Sequence, residues 1–241
     1  MFLLIIFLII VVLVVMMGMP ITSSCVGGKI NCDKLRFVKE GDDTCWIDTS
    51  MYVMIIPKES FRLIKPVMYE VPELFAYVKI LRRNQRAFIN RCTPGGGNEV
   101  ILMRKMIKTM GLSFIEINDW KKNYKKIADT IPDYIFYSNK IPKNDKIPEV
   151  PDIIHKHKLV GMIFHIEYKN RPKLGHVACV VLCDSKYWRY YNNCSNKVRN
   201  LKEKDRNTVA GNVRDILRMC PSSGGVNSRV DDIICIYCRT T

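Results

Sequence analysis

The chain has 241 residues, of which 48% are hydrophobic, and its 38 basic and 23 acidic side chains give a net charge of +15. That apolar content is enough for a sizeable core, which excludes an intrinsically disordered chain. The basic residues are spread along the chain, and no helix-turn-helix, zinc-finger or base-stacking pattern accompanies them. We therefore expect no specific nucleic-acid partner, and no motif for a cofactor is present.

The N-terminal stretch is apolar: residues 2–19 carry no charge, and Pro20 ends the run. A helix of this length spans roughly 27 Å, close to the thickness of the hydrocarbon core of a bilayer. A cleaved signal peptide would have a basic start and a small-residue cleavage site, and this stretch shows neither. We therefore expect residues 1–19 to be a hydrophobic anchor that associates the chain with a membrane.

The segment after the anchor predicts its orientation. Residues 20–35 are small and polar enough to be a tether, and the remainder, residues 36–241, is long enough for one domain. Basic side chains follow the apolar run closely, at Lys29, Lys34, Arg36 and Lys39. The positive-inside rule then predicts a single-pass protein whose folded domain faces the cytoplasm.

Cys45 stands between a turn and an apolar run. Residues 41–44 read Gly-Asp-Asp-Thr, and residues 46–56 are mostly apolar, which predicts a helix that begins beside this cysteine. A thiol in the first turn lies at the positive end of the helix dipole, which favours the reactive thiolate. Because most lone cysteines are simply small buried residues, the prediction of a nucleophile depends on a partner elsewhere in the chain.

The rest of the chain divides into a helical part and a strand-rich part. Apolar positions recur at helical spacing in residues 70–88 and 99–110, a glycine-rich loop at 92–97 separates them, and residues 119–128 predict a lysine-rich helix. Beyond residue 131 the runs 134–137, 157–167 and 230–239 are β-prone, residues 141–152 are broken by prolines, and residues 196–219 have a helical pattern. This order predicts an α+β fold with a helical lobe followed by an antiparallel β-sheet lobe.

Residues 175–193 predict a β-hairpin with polar side chains at its open end. His176 opens the first run and Asn192 follows the second, so the two side chains can be neighbours. An amide oxygen that accepts one ring N–H fixes the tautomer and leaves the other ring nitrogen for a nucleophile. We therefore predict a catalytic site of Cys45, His176 and Asn192, with the nucleophile on the helical lobe and the base on the sheet.

Other side chains compete for two of these roles. Asn193 and Asp184 are alternatives for the residue that orients the imidazole, and the spacing from Trp188 favours Asn192. His165 ends an apolar run, which predicts a structural role or a place in the lining of the cleft.

Ten cysteines are present, and several lie inside apolar runs. Cys179 and Cys235 have the surroundings of reduced, buried thiols. Cys235 and Cys238 have CxxC spacing, but a strand would direct them to opposite faces, and no second pair completes a zinc site. We expect these cysteines to be structural and no metal to be bound.

The strand-rich half resembles the ubiquitin-specific proteases, which are papain-fold thiol hydrolases. The segments that carry the resemblance are residues 131–136, 158–165, 175–181, 188–192 and 233–239, and residues 44–46, Thr-Cys-Trp, resemble the nucleophile box of the family. The resemblance implies a papain-like cysteine protease fold and cleavage after the C-terminal glycine of ubiquitin or a ubiquitin-like protein. It also implies the same roles for Cys45, His176 and Asn192.

The chain departs from the family pattern in two ways. Cys92 is the sole cysteine between Cys45 and His165, so the four-cysteine zinc finger is absent, as in the compact versions of large DNA viruses. The second departure is acidic: Glu40 occupies the position of the usual amide oxyanion donor, Asp42 and Asp43 follow it, and Asp48 also replaces an amide. A carboxylate there would repel a developing oxyanion.

Three other interpretations fit the sequence. The first is a papain-fold protease with a substrate other than ubiquitin. The second is a weak or inactive, membrane-tethered module that binds ubiquitin, which the acidic turn makes credible. The third is a secreted, disulfide-rich protein.

Overall fold

The computed structural model of the chain describes residues 45–82, 99–140, 150–168, 175–183, 187–191, 199–201 and 228–240. These residues form five α-helices, which are α1 (Cys45–Ile55), α2 (Lys58–Ile64), α3 (Pro72–Arg82), α4 (Glu99–Thr109) and α5 (Trp120–Thr130). A short 3-10 helix (Met68–Glu70) lies between α2 and α3. The strands are β1 (Phe114–Ile117), β2 (Tyr134–Lys140), β3 (Ile153–Ile154), β4 (His157–Tyr168), β5 (Gly175–Cys183), β6 (Tyr187–Tyr191), β7 (Arg199–Leu201) and β8 (Ser228–Arg239).

The described strands form one sheet in the order β1-β2-β8-β4-β5-β6-β7, and β3 pairs with β4 outside that path. Every described pair is antiparallel except β1 with β2, which is parallel. The sheet is therefore mixed. The α+β class and the hairpin of β5 and β6 are confirmed. The sequence does not predict β1, because a four-residue strand is too short to show a clear alternation.

Helices cover both faces of the sheet. On one face α1 to α4 pack in a core that contains Met51, Leu74 and Ile163. On the other face lies a second core with Phe164 and Trp188, against which α5 packs through Ile127. All residues of α1 except Trp46 are buried, as expected for a helix that is enclosed on every side. We call the first of these faces the helix face of the sheet.

α1 packs tightly against the sheet at Gly161 of β4. A Cβ atom added there would lie 2.9 Å from Cγ1 and 3.2 Å from Cγ2 of Val53. Such separations are well inside van der Waals contact, so a side chain at this position would push the helix away. An isolated glycine inside a strand pattern often indicates a close approach of this kind.

Gly161→Ala is expected to lower the free energy of unfolding by about 1–3 kcal/mol, because the added methyl overpacks the α1 interface. Chemical denaturation followed by circular dichroism measures the change. Val53→Ala creates the space that the new methyl needs, so the double variant should be more stable than the sum of the single effects predicts. Simple additivity of the two changes would contradict the contact.

His157 begins β4 as a neutral, buried imidazole. Its Nε2 lies 2.6 Å from the Pro132 carbonyl oxygen, to which the ring N–H donates. Burial lowers the pKa of this histidine below its ordinary value. Below about pH 6.5, His157 is therefore protonated in the unfolded chain but stays neutral in the folded one until a lower pH.

The stability of the domain should consequently fall as the pH is lowered from 7 towards 5. The contribution of one such group is at most about 1.4 kcal/mol per pH unit. Denaturant midpoints measured across this range for the parent and for His157→Gln test the prediction. The variant should show a shallower slope, and equal slopes would contradict it.

Most predicted elements are confirmed within the described residues. The helices expected at 46–56, 99–110 and 119–128 correspond to α1, α4 and α5, and the strands expected at 157–167 and 230–239 correspond to β4 and β8. Asp119 caps α5, since its carboxylate accepts from the backbone N–H groups of Lys121 and Lys122. The segment at 70–88 begins as a 3-10 turn and becomes helical only at Pro72, and its last part lies outside the described residues.

One segment is assigned wrongly from the sequence. The helical pattern at residues 196–219 contains Arg199–Leu201, which is β7 and pairs with Trp188, Arg189 and Tyr190 of β6. Pairing with a neighbouring strand therefore outweighs local helical spacing at these three positions. The other residues of that segment lie outside the described part of the chain.

Candidate active site

Cys45 is the first residue of α1. Its side chain is 9% exposed, and it is a thiol rather than half of a disulfide. The N–H groups of a first helical turn have no partner within the helix and lie at the positive end of the helix dipole. This is the environment that the sequence predicts for a nucleophilic thiol.

The helix that begins with Cys45 runs in the same direction as β5. Val53 of α1 packs over Gly161, which pairs with Val181 of β5. Burial raises the pKa of the Cys179 thiol, and the charge of Asp48, which lies nearer the start of the helix, raises it further. One further turn back along α1, about 4.5 Å, brings Cys45 over the first residues of β5. The structure thus places Cys45 and the start of β5 at the same end of the sheet.

His176 is the second residue of β5 and is 4% exposed. Val177 and Cys179 pack on the helix face, whereas Ala178 belongs to the core of the opposite face. Strand alternation assigns His176 to the face of Ala178. Contact between the imidazole and the Cys45 thiol therefore requires the ring to lie at the end of the sheet, rather than over either face.

A second imidazole lies on the helix face at this end. His165 of β4 pairs with Val177 in the sheet, and its Nδ1 is 3.9 Å from Oδ2 of Asp232 on β8. Both side chains are partly exposed, at 30% and 26%. The neighbouring carboxylate gives His165 the surroundings of a base, while its structural or cleft-lining role stays a prediction.

A buried hydrogen bond between Asp48, three residues after Cys45 on α1, and Tyr77 is not predicted from the sequence. Oδ1 of Asp48 accepts a 2.8 Å hydrogen bond from the hydroxyl of Tyr77 on α3. The sequence marks Asp48 as a departure from the family but gives no signal for Tyr77, because packing between two helices brings the residues together.

The remaining predicted site residues lie outside the described residues. They are Asn192, its alternatives Asn193 and Asp184, and the acidic residues Glu40, Asp42 and Asp43. The tether and the apolar run at residues 2–19 lie outside them as well. Within the described residues, no helix is both long and apolar enough to cross a membrane.

The described cysteines are mostly buried thiols. Cys179, Cys235 and Cys238 are reduced, which confirms the prediction for the first two. Cys235 and Cys238 belong to the cores on opposite faces of the sheet, as predicted. Cys183 is disulfide-bonded. No cluster of metal-binding side chains occurs in the described ranges.

Comparisons with known proteins match the fold but not the sequence. No protein-family model matches the chain, and no curated protein does. A solved structure of a SAGA DUB module, composed of Ubp8, Sgf11, Sus1 and Sgf73 and bound to monoubiquitin, has a chain that aligns with a TM-score of 0.52 and 9% identity, covering 90% of this chain and 72% of that one. Another structure of the SAGA Ubp8/Sgf11/Sus1/Sgf73 DUB module aligns at 0.47 and 10% identity, over 89% and 70%. The first of these alignments confirms the predicted α+β, papain-like fold.

Proposed function

We propose that the protein is a thiol hydrolase that cleaves peptide or isopeptide bonds after the C-terminal glycine of ubiquitin or a ubiquitin-like protein. The observation that carries the proposal is the position of Cys45. A reduced cysteine begins a helix that is buried except at Trp46, at the end of the sheet where β5, with His176 as its second residue, starts. In a papain-like fold, this arrangement suits acyl transfer to sulfur. The matched DUB module is bound to monoubiquitin, which supports the choice of substrate.

The reaction then follows from acid–base chemistry. His176 takes the thiol proton while the Cys45 sulfur bonds to the carbonyl carbon of the terminal glycine. The imidazolium returns that proton to the leaving amine as the C–N bond breaks, which leaves a thioester. Water adds to the thioester carbonyl, gives up its proton to the imidazole, and releases the glycine carboxylate. The imidazolium then reprotonates the Cys45 sulfur as it leaves.

We propose Asn192 as the residue that orients His176. The antiparallel register pairs Cys179 with Tyr191. Asn192 and Asn193 directly follow Tyr191 in the sequence, and the spacing from Trp188 favours Asn192.

His165 with Asp232 is the alternative base. This pair lies on the same face as α1, and its 3.9 Å separation is an ion-pair distance. The imidazole of His176 must instead reach the thiol around the end of the sheet. We retain His176 as the base because the sequence offers it a candidate amide partner, Asn192, after the second strand of the hairpin. Replacing each histidine in turn distinguishes the two candidates.

A ubiquitin carrying an electrophile at its C-terminus tests the function directly. The full chain is incubated with ubiquitin vinyl sulfone, and the modified residue is identified by mass spectrometry. Labelling of Cys45 supports the proposal. If the chain binds ubiquitin without being labelled, it is the inactive ubiquitin-binding module. If it neither binds ubiquitin nor is labelled, ubiquitin is not its substrate.

We further propose that the domain is a compact version without the zinc finger and that residues 2–19 anchor it in a membrane. The basic residues after the run favour the cytoplasmic side. The Cys183 disulfide favours the other side, because such bonds persist in oxidising compartments. Protease added outside intact vesicles should leave a cytoplasmic-facing domain whole. Digestion, or a glycan on Asn193 in the sequence Asn193-Cys194-Ser195, would place the domain on the far side.

A further inference from the structure

A buried carboxylate lies one helical turn beyond the proposed nucleophile. Asp48 is 4% exposed and accepts the Tyr77 hydroxyl at 2.8 Å. Side chains three positions apart on a helix are neighbours, with Cβ atoms about 5–6 Å apart. A charge on Asp48 therefore acts on the Cys45 sulfur at short range and through a medium that excludes water.

The direction of the hydrogen bond follows from the surroundings of Tyr77. Burial raises the pKa of this phenol well above its ordinary value, and the neighbouring Tyr52 and Asp48 raise it further. The phenol is therefore neutral and donates to the carboxylate. The first turn of α1 also favours a negative charge on Asp48, through the helix dipole.

Aromatic contacts extend this pair to the sheet. Tyr52, one turn after Asp48, meets Tyr77 edge to face at a centroid distance of 6.0 Å. On its other side Tyr52 stacks on Tyr191 at 4.7 Å. Tyr191 is the last residue of β6 and directly precedes the proposed orienting residue. The contacts thus tie α3, α1 and β6 together beneath the thiol.

The other titratable groups around α1 are few in the described residues. β5 presents Cys179, while His176 at its start belongs by strand alternation to the opposite face. Arg189 of β6 lies with its guanidinium carbon 5.8 Å from the centroid of the Tyr191 ring. β4 and β8 present the His165–Asp232 pair, while Glu59 of α2 pairs with Lys158. α4 contributes apolar side chains to this core: Met103, Met106 and Ile107.

We propose that Asp48 and Tyr77 are positioning residues for Cys45. Tyr77 holds the carboxylate in the first turn of α1, and the carboxylate's charge opposes the helix dipole at the sulfur. The resting cysteine is thereby kept as a thiol until a base removes its proton. This role rests on the proposed function, although the effect on the thiol can be measured without ubiquitin.

The test is the pH dependence of Cys45 alkylation by iodoacetamide in the full chain. Mass spectrometry of the Cys45 peptide separates this thiol from the other cysteines. Asp48→Asn keeps an oxygen for Tyr77 and removes the charge, so the midpoint of the pH profile should fall by on the order of one pH unit. Tyr134→Phe is the matched control, since it removes another buried phenol, one that shares a hydrogen bond with Ser60, and it should leave the midpoint unchanged.

Tyr77→Phe tests the positioning directly. Loss of the donor to a buried carboxylate should lower kcat for a ubiquitin amide by roughly tenfold, with KM unchanged. The loss should be much smaller when Asp48→Asn is already present, because the two residues act as a unit.

An unchanged alkylation midpoint in folded Asp48→Asn would overturn the inference, as would equal Tyr77→Phe losses in both backgrounds. If Asp48→Asn does not fold, Asp48→Ser also removes the charge and carries the same expectation. If the alkylation midpoint shifts but the ubiquitin probe does not label Cys45, Asp48 tunes the thiol and the proposed function is refuted. If the probe labels Cys45 but the midpoint does not shift, the proposed function stands and the tuning by Asp48 is refuted.

Discussion

Replacing Cys45 by alanine is expected to abolish hydrolysis of a ubiquitin C-terminal amide. The other reduced cysteines of the described residues, Cys179, Cys235 and Cys238, are fully buried, and burial raises the pKa of each thiol. A buried thiol with a raised pKa is a poor nucleophile. Turnover of a fluorogenic ubiquitin amide measures the loss. Cys235→Ala, checked for folding by thermal unfolding, is the matched control and should retain activity.

The two histidines near this end of the sheet should differ in effect. His176→Ala removes the proposed general base and should lower kcat by about a thousandfold. His165→Ala should cost much less, because its proposed place is in the lining of the cleft. If His165→Ala and Asp232→Asn are instead the severe variants, the pair on the helix face is the catalytic one.

The orienting residue should contribute less than the nucleophile or the base. Asn192→Ala is expected to lower kcat by roughly ten- to a hundredfold, since the imidazole loses its fixed tautomer but keeps its position on β5. Asn193→Ala and Asp184→Ala are the comparisons. If Asn192→Ala leaves kcat unchanged and Asn193→Ala lowers it strongly, Asn193 is the orienting residue instead.

Hydrophobic periodicity and turn residues are sufficient to predict the elements that carry the proposed nucleophile and the proposed base. The continuous apolar run after Cys45 predicts α1, and two β-prone runs around a short turn predict β5 and β6. These signals are local, so they survive in a single sequence. β7 has no such local signal, because its three described residues are defined by their pairing with β6.

The geometry of the site depends on contacts that no local pattern encodes. The Asp48–Tyr77 hydrogen bond joins residues on two helices. The His165–Asp232 pair joins β4 to the final strand, and the approach of Val53 to Gly161 sets the height of α1 above the sheet. Each contact forms only when the layers pack. A sequence can therefore suggest a candidate nucleophile more readily than the base that faces it.

The acidic turn before Cys45, with Glu40, Asp42 and Asp43, precedes a site that must stabilise negative charge. During acyl transfer the substrate carbonyl oxygen becomes negative, and the site must provide hydrogen-bond donors for it. The backbone N–H of Cys45 can supply one donor at the start of α1. In the family that the chain resembles, an amide side chain supplies another from the position that Glu40 occupies here. A carboxylate in that place repels the charge that it should stabilise.

Glu40→Gln is therefore expected to raise kcat, because it keeps the size of the side chain, removes the charge and adds a donor. One oxyanion donor contributes about 3 kcal/mol, or on the order of a hundredfold in rate. Asp43→Asn should have the second largest effect and Asp42→Asn the third. Glu116→Gln on β1 is the control for charge removal, since Glu116 is paired with Arg104 on the surface of the domain, and it should leave kcat unchanged. If all three amide variants match the parent within about twofold, the acidic turn faces solvent. The second donor of the oxyanion hole must then come from another residue.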